Sequence, residues 1–437
     1  MVKRIFQTIA ILIFALYSTV SFAQDNRTLE TKVADILAQM PANDLAHRDR
    51  LMGEIIELGP EGFQKMAQML TPAGVGDDTA VRFAMNSVAR YASVLGRENE
   101  RSFVETALLN AIQENSDNEV NTFLMNQLNL VGGQKTVEGL QGYLLDEELA
   151  EPATQALLSI GTKQAARELL SALSKANEQT QATLVRALGQ LKCKQALPEI
   201  TRLADTDNTE LRKVSLEALA NIGHPDSYDL MFNAAKDVDF NYEPTHAAEA
   251  FLNYAGSLAE NNELKPAQKA LKAVFKANTS ADKLHNYSKA LAIYTKHFGY
   301  ETLPLLLDAV DNSNKAFRYS ALNLAEDLGG IAATRQWVEK AKSVVNDVVK
   351  GEIVGMLGRR GDHFAVDFVK SKLQSPSAFV RQESIIALKQ LLGKEAKPIL
   401  IEHLAKGKDM EATQTALLQL LDQKHLAPVA ARLNETS

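Results

Sequence analysis

Eight histidines, one cysteine and several adjacent carboxylates are the residues of this 437-residue chain that could do chemistry, and their spacing decides which chemistry is open to them. His47, His224, His246, His285, His297, His363, His403 and His425 are scattered along the chain. No His-x-x-x-His pair puts two imidazoles on one helical face, as a zinc site would want. The closest pairing is His246 with Glu249, one helical turn apart, and a single such pair reads as a surface contact. Cys193 lies between Lys192 and Lys194 with no histidine beside it and no second cysteine to bond. It reads as a small packing residue rather than a nucleophile. Asp77/Asp78 and Glu147/Glu148 fall where helices or turns begin, so they read as capping, solvated charge at the positive end of a helix dipole. The chain has no Gly-x-Ser-x-Gly, phosphate loop or Gly-x-Gly-x-x-Gly. No catalytic residue, metal ligand or cofactor-binding residue is assigned, and no cofactor is expected.

Binding chemistry has a clearer trace. Seven of the ten tyrosines fall between 228 and 319, namely Tyr228, Tyr242, Tyr254, Tyr287, Tyr294, Tyr300 and Tyr319, with Trp337 just beyond. A phenol joins an apolar face to a hydroxyl, which suits a protein, peptide or glycan partner. Tyr242, Tyr254, Tyr287 and Tyr294 are the candidate partner contacts. The competing reading is that large side chains fill a wider space between helices there.

The elements that carry these residues repeat. DTAVRFAMNSVARYASVLG (78–96), NTELRKVSLEALANIG (208–223), NKAFRYSALNLAEDLG (314–329) and SAFVRQESIIALKQLLG (377–393) each open on a small polar residue and place an arginine four positions on. Those arginines are Arg82, Arg212, Arg318 and Arg381. Each stretch then runs in helical apolar spacing to a glycine. Glycines read as helix ends recur at 59, 96, 132, 161, 189, 223, 256, 299, 329, 358 and 393, with gaps of 28 to 43 residues. That is the period of a two-helix unit, which must stack on its neighbours to bury its apolar face. Pro198, Pro304 and Pro398 start the other helix of a unit, where a missing N–H has no intrahelical partner to lose. Pro198 to Arg212 and Pro304 to Arg318 are both fourteen residues, so two landmarks hold one register.

These prolines and Asp/Asn-led arginines resemble the HEAT-repeat family. The resemblance implies an all-α fold, a right-handed α-solenoid of about eleven to twelve helix pairs over residues 24–437. It also implies that Arg82, Arg212, Arg318 and Arg381 are structural, each bonding an acid or carbonyl of the adjacent unit. Stretches 97–133 and 134–161 lack both the repeat proline and the repeat arginine. DVDFNYEPTH (237–246) and ENNELKPAQ (260–268) interrupt the pattern and read as long connections within one continuous solenoid, an irregular region of about 237–268. The stretch from Thr413 onward reads as a closing helix pair and a polar tail. HEAT-like deoxyhypusine hydroxylases hold iron with His-Glu dipeptides, and this chain contains none, so a hydroxylase is disfavoured. Nothing distinguishes a lyase of this architecture either.

Composition narrows the partner. Residues 1–23 read as a signal peptide, with Lys3 and Arg4 ahead of an apolar run and Ser21-Phe22-Ala23 as a small-x-small cleavage site. No later segment is apolar enough over about 18 residues to span a membrane. Without the leader the chain holds 45 basic and 54 acidic groups, a net charge of −9, which argues against nucleic acid. The expectation is an exported, periplasmic or cell-envelope scaffold that is not an enzyme and binds a protein, peptide or glycan along its inner face. A second expectation is an accessory module of a carbohydrate-degrading system of the 3-keto-disaccharide hydrolase type.

Overall fold

The computed structural model describes residues 27–420. The leader at 1–23 and the chain beyond Leu420, including His425 and most of the expected closing segment, lie outside the described residues. Among the described residues there are helices, short 3-10 turns and no strands. They form two compact units, one ending at Ala196 and one beginning at Leu197.

Within the second unit, Thr209–Ile222, Ala247–Glu260, Leu284–Phe298, Lys315–Asp327, Asp347–Arg360, Ala378–Leu392 and Met410–Gln419 pack each on the next. Shorter or alternate helices, such as Tyr228–Asp237, Leu264–Ala277 and Ile331–Ser343, fill a second row. The first unit repeats the scheme with Leu45–Glu57, Thr79–Ala92, Asn118–Val131, Ala150–Ile160 and Glu178–Gln190. This is the all-α solenoid of stacked helix pairs, each pair buried by its neighbours. Leu, Ile, Val, Met and Phe make up most of that interior, each buried side chain stabilising by about 1.5–3 kcal/mol.

The opening residues act as caps in three of the four repeats. Asn208 accepts from Leu211 N–H at 3.0 Å, Asn314 from Phe317 N–H at 3.1 Å and Ser377 from Val380 N–H at 3.5 Å. Asp78 instead spends its carboxylate on Thr71 N–H at 3.0 Å and Arg82 Nε at 2.7 Å. Pro198, Pro304 and Pro398 all lie in first helical turns.

Several expected helix ends are not ends. Gly223 does end its helix, in the left-handed region at φ 58° and too close to Ser257 for a side chain. Gly189, Gly256 and Gly358 lie inside helices instead. At Gly358 a Cβ would stand 2.5 Å from Ala387 Cα, so glycine is needed there for close helix approach and not for a turn. After Lys315–Asp327 the left-handed residue is Gly330 rather than Gly329.

The units without the repeat arginine still form. Asp117 caps Asn118–Val131 through Val120 N–H at 3.0 Å. Arg101 donates to Val131 O and Gly132 O, both at 3.1 Å. Buried Glu105 accepts from Gly133 N–H, Thr136 N–H and the Thr136 hydroxyl at 2.7–2.9 Å, tying down the next helix start.

The irregular region differs from expectation in one half. Residues 238–246 are a true connection, but Ala247–Glu260 and Leu264–Ala277 are joined by only Asn261, Asn262 and Glu263. Asn262 turns the chain at φ 64°, and Pro266 falls in the first turn of the following helix, where it costs little. A further interruption, 278–283, precedes Leu284–Phe298.

Candidate functional site

The repeat arginines come first because they set where the stack is complete. Arg82 donates to both Glu119 oxygens at 3.0 and 2.7 Å and to Thr71 O at 2.8 Å. Arg318 donates to both Glu352 oxygens at 2.8 and 2.9 Å and to Asn312 O and Ser313 O at 3.0 Å. Arg381 forks onto Asp409 at 2.7 and 3.0 Å and reaches Ser375 O and Pro376 O. Each thus holds the loop before its helix and an acid of the next unit, a planar arrangement that lysine cannot copy. Glu352 holds the Arg318 guanidinium further toward its charged form, and Asp409 does so for Arg381.

Arg212 departs from the pattern. Among the described residues it has no ion-paired or side-chain hydrogen-bonded partner, and it lines a groove with Asp205 and Asp237. The next long helix begins only after the 238–246 loop, and Glu249 near its start is engaged by His246 Nδ1 at 3.8 Å and Lys289 Nζ at 3.5 Å. The ladder is therefore interrupted where the loop enters.

That loop builds a cleft. Asp239, Phe240 and His246 all take positive φ, at 50°, 54° and 54°, a conformation that non-glycine residues rarely hold without support. The support comes from downstream. Buried Lys283 donates its ammonium to Asp239 O at 2.6 Å and to Asp239 Oδ2 at 2.7 Å. Asn286 donates to Phe240 O at 3.2 Å and to Asn278 Oδ1 at 3.0 Å. Glu243 closes the loop by accepting from Thr245 N–H, the Thr245 hydroxyl and Ala247 N–H at 2.7–2.8 Å. Burial pushes its carboxyl up, but these hydrogen bonds and the nearby His246 outweigh that and leave it below the usual glutamate range.

Phe240, Ala248 and Leu252 form an apolar floor, and His246, Glu249, His285, Asn286 and Lys289 form a polar rim around about 230 Å³. Tyr242 stands over it, 83% exposed, its ring centroid 5.2 Å from that of His246. His285 Nδ1 lies 3.0 Å from Asp282 O, a carbonyl that can only accept, so Nδ1 carries a proton there. Among the described residues no group of three or more His, Cys, Asp or Glu is placed to hold a metal ion. The cleft offers donors, acceptors and an aromatic face, which is binding chemistry.

Of the four candidate tyrosines only Tyr242 lines this cleft. Tyr254 is 0% exposed and donates its hydroxyl to His224 O at 2.6 Å. Tyr294 is 4% exposed, its hydroxyl accepting from Gln268 Nε2 at 2.8 Å. Tyr287 is half-buried between Phe275 and Phe317, with ring centroids 4.8 and 5.3 Å away. Burial pushes all three phenols above their usual range. Tyr254 joins an interior group with Tyr228, Phe232, Phe240 and Phe251, so much of the aromatic enrichment fills space left by the irregular stretch. His285, Asn286 and Lys289 were not singled out from the sequence. They sit more than 35 residues from the loop they face, and no local spacing links them to it.

Known proteins place the architecture. A profile of HEAT repeats matches residues 166–251 and 334–421. No curated protein sequence matches the chain. Kap121p, crystallised bound to Pho4p, superposes with a TM-score of 0.55 and 13% identity, covering 90% of this chain and 49% of Kap121p. Kap121p bound to RanGTP gives 0.52 and 14% over 90% and 48%. The chain thus spans about half the length of that protein, and the likeness is one of fold. Human deoxyhypusine hydroxylase aligns at 16% identity over 59% of this chain and 96% of the enzyme, but its TM-score of 0.26 is too low to carry weight. With that profile on both stretches and helix pairs stacked within each unit, the chain carries HEAT repeats at residues 166–251 and 334–421 and folds as an all-α solenoid.

Proposed function

We propose that this chain is an exported, non-catalytic scaffold that seats one anchoring group of a protein or peptide partner in the cleft beside Tyr242. The observation that carries the reading is the cleft's size and make-up. At about 230 Å³ it falls below the roughly 300–1,000 Å³ of ordinary small-molecule sites, and it suits one side chain of a larger partner. An apolar floor with an exposed aromatic above and a polar rim around it is the make-up of an anchor pocket. The strained loop is held by Lys283 and Asn286 in the free protein, so little ordering is needed on binding. The fold shared with Kap121p, crystallised bound to Pho4p and to RanGTP, supports binding as the use of the scaffold. Export rests on the leader-like residues 1–23, and the acidic balance of the chain disfavours nucleic acid.

A glycan is the second reading, because an exposed ring beside amide and carboxylate groups also suits a sugar. One experiment addresses both. The full mature chain and its Tyr242→Ala/Lys289→Ala variant are used to capture partners from the envelope fraction, with and without added oligosaccharides. A protein held by the wild type and lost by the variant supports the proposal. Equal recovery by both chains overturns it, and release by sugar moves the assignment to glycan.

A further inference from the structure

A second site lies in the first unit, where the chain's acidic character reverses. Thr162, Lys163 and Arg167 on one side and Lys192, Cys193 and Lys194 on the other enclose a groove of about 430 Å³. Its floor is Ala166, Leu170 and Leu191, and no Asp or Glu lines it. Four cations thus share one groove in a protein of net charge −7. Lys163, Lys192 and Lys194 have no ion-pair partner among the described residues, and Arg167 bonds only the neutral amide oxygen of Gln164.

The backbone explains how lysines flanking a buried thiol face outward together. Lys192 takes φ 50°, and Cys193 N–H closes the helix end onto Leu188 O at 3.0 Å. This turn sends Cys193 inward and leaves Lys192 and Lys194 exposed at the groove edge. Like charges gathered without counter-charges repel one another, and an anion relieves that repulsion.

We propose that this groove binds an acidic peptide segment of a partner, with Lys163, Arg167, Lys192 and Lys194 meeting its carboxylates and the floor taking an intervening apolar side chain. The geometry favours an extended polyanion over a compact phosphate. A phosphate cradle uses free amides at a helix start, and here the Thr162 hydroxyl takes one of them, Ala165 N–H, at 3.2 Å. The cations are instead spread around an open, partly apolar groove.

The test uses the full mature chain and a fluorescent alternating Glu/Leu hexapeptide, with its Gln/Leu counterpart and inorganic phosphate as further probes. The Glu/Leu peptide should bind, weaken as salt rises from about 20 to about 500 mM, and lose about tenfold in affinity in Lys163→Glu/Lys194→Glu. Lys163→Arg/Lys194→Arg should keep its affinity, and Tyr242→Ala should not change it. Circular dichroism melting checks that the variants are folded. Equal binding of the Gln/Leu peptide, unchanged affinity in the folded charge-reversed variant, or displacement by phosphate at the peptide's own concentration would each overturn the proposal.

Discussion

At the scale of single residues, the same side chain serves two purposes that only its surroundings separate. Tyr242 and Tyr254 are twelve positions apart, yet one stands in solvent and the other is fully enclosed with its hydroxyl on His224 O. Tyr254→Phe keeps the ring and removes one of the two hydrogen bonds to His224 O, which still accepts from Ser227 N–H at 3.1 Å. It should lower stability by about 1 kcal/mol. Tyr242→Ala removes exposed surface alone and should stay within about 0.5 kcal/mol of the parent. Chemical denaturation midpoints of the two variants check this, and the reverse order would contradict the burial described.

At the scale of helices, the stack is stitched by arginines that hold a loop and an acid of the following unit together. Arg318 with Glu352 is the most enclosed of these pairs, at 8% and 2% side-chain exposure. Arg318→Ala strands the Glu352 carboxylate without its counter-charge and should destabilise by about 3–5 kcal/mol. Arg318→Met/Glu352→Leu removes both charges, and its loss should be smaller than that of the single substitution. Thermal melting of parent, single and double variants measures the difference. A double variant that melts below Arg318→Ala would show that the pair contributes more than relief of an unpaired buried charge.

For the whole molecule, carboxylates bound into the fold set its acid limit. In Asp78, Asp362 and Glu243 burial raises the carboxyl pKa, but accepted hydrogen bonds outweigh it; in Asp409 the Arg381 hydrogen bond leads. All four therefore lie below their ordinary values of 3.8 for aspartate and 4.5 for glutamate. Each takes up a proton more readily when unfolded. Its stabilisation is complete above the unfolded value and is lost as pH falls through the folded one. Glu383 opposes this, since burial raises it ahead of the lowering by Arg359. The four outnumber the one, so melting temperature should hold from about pH 7 to about pH 5 and drop at about pH 3. Melting that is level from pH 5 to pH 3 would contradict the sign.

The helical solenoid was legible in the sequence because a repeat states its packing rule many times over. Asn208, Asn314 and Ser377 cap through bonds spanning a few residues, and Pro198, Pro304 and Pro398 act within one helical turn, so local order is enough to read them. Glycine was read less well, since the same residue type ends a helix at Gly223 and admits a neighbouring helix at Gly358. The cleft was only half legible: Tyr242 and the broken register at 237–246 pointed to the place, whereas His285, Asn286 and Lys289 arrive from another helix and Lys283 from the residue just before it. Sequence alone determined the repeat, the caps and the charge balance, because each depends on neighbours along the chain. Which tyrosine meets solvent, which arginine lacks an acid and where four cations share a groove were decided by the tertiary structure, because burial and electrostatic pairing depend on distance through space.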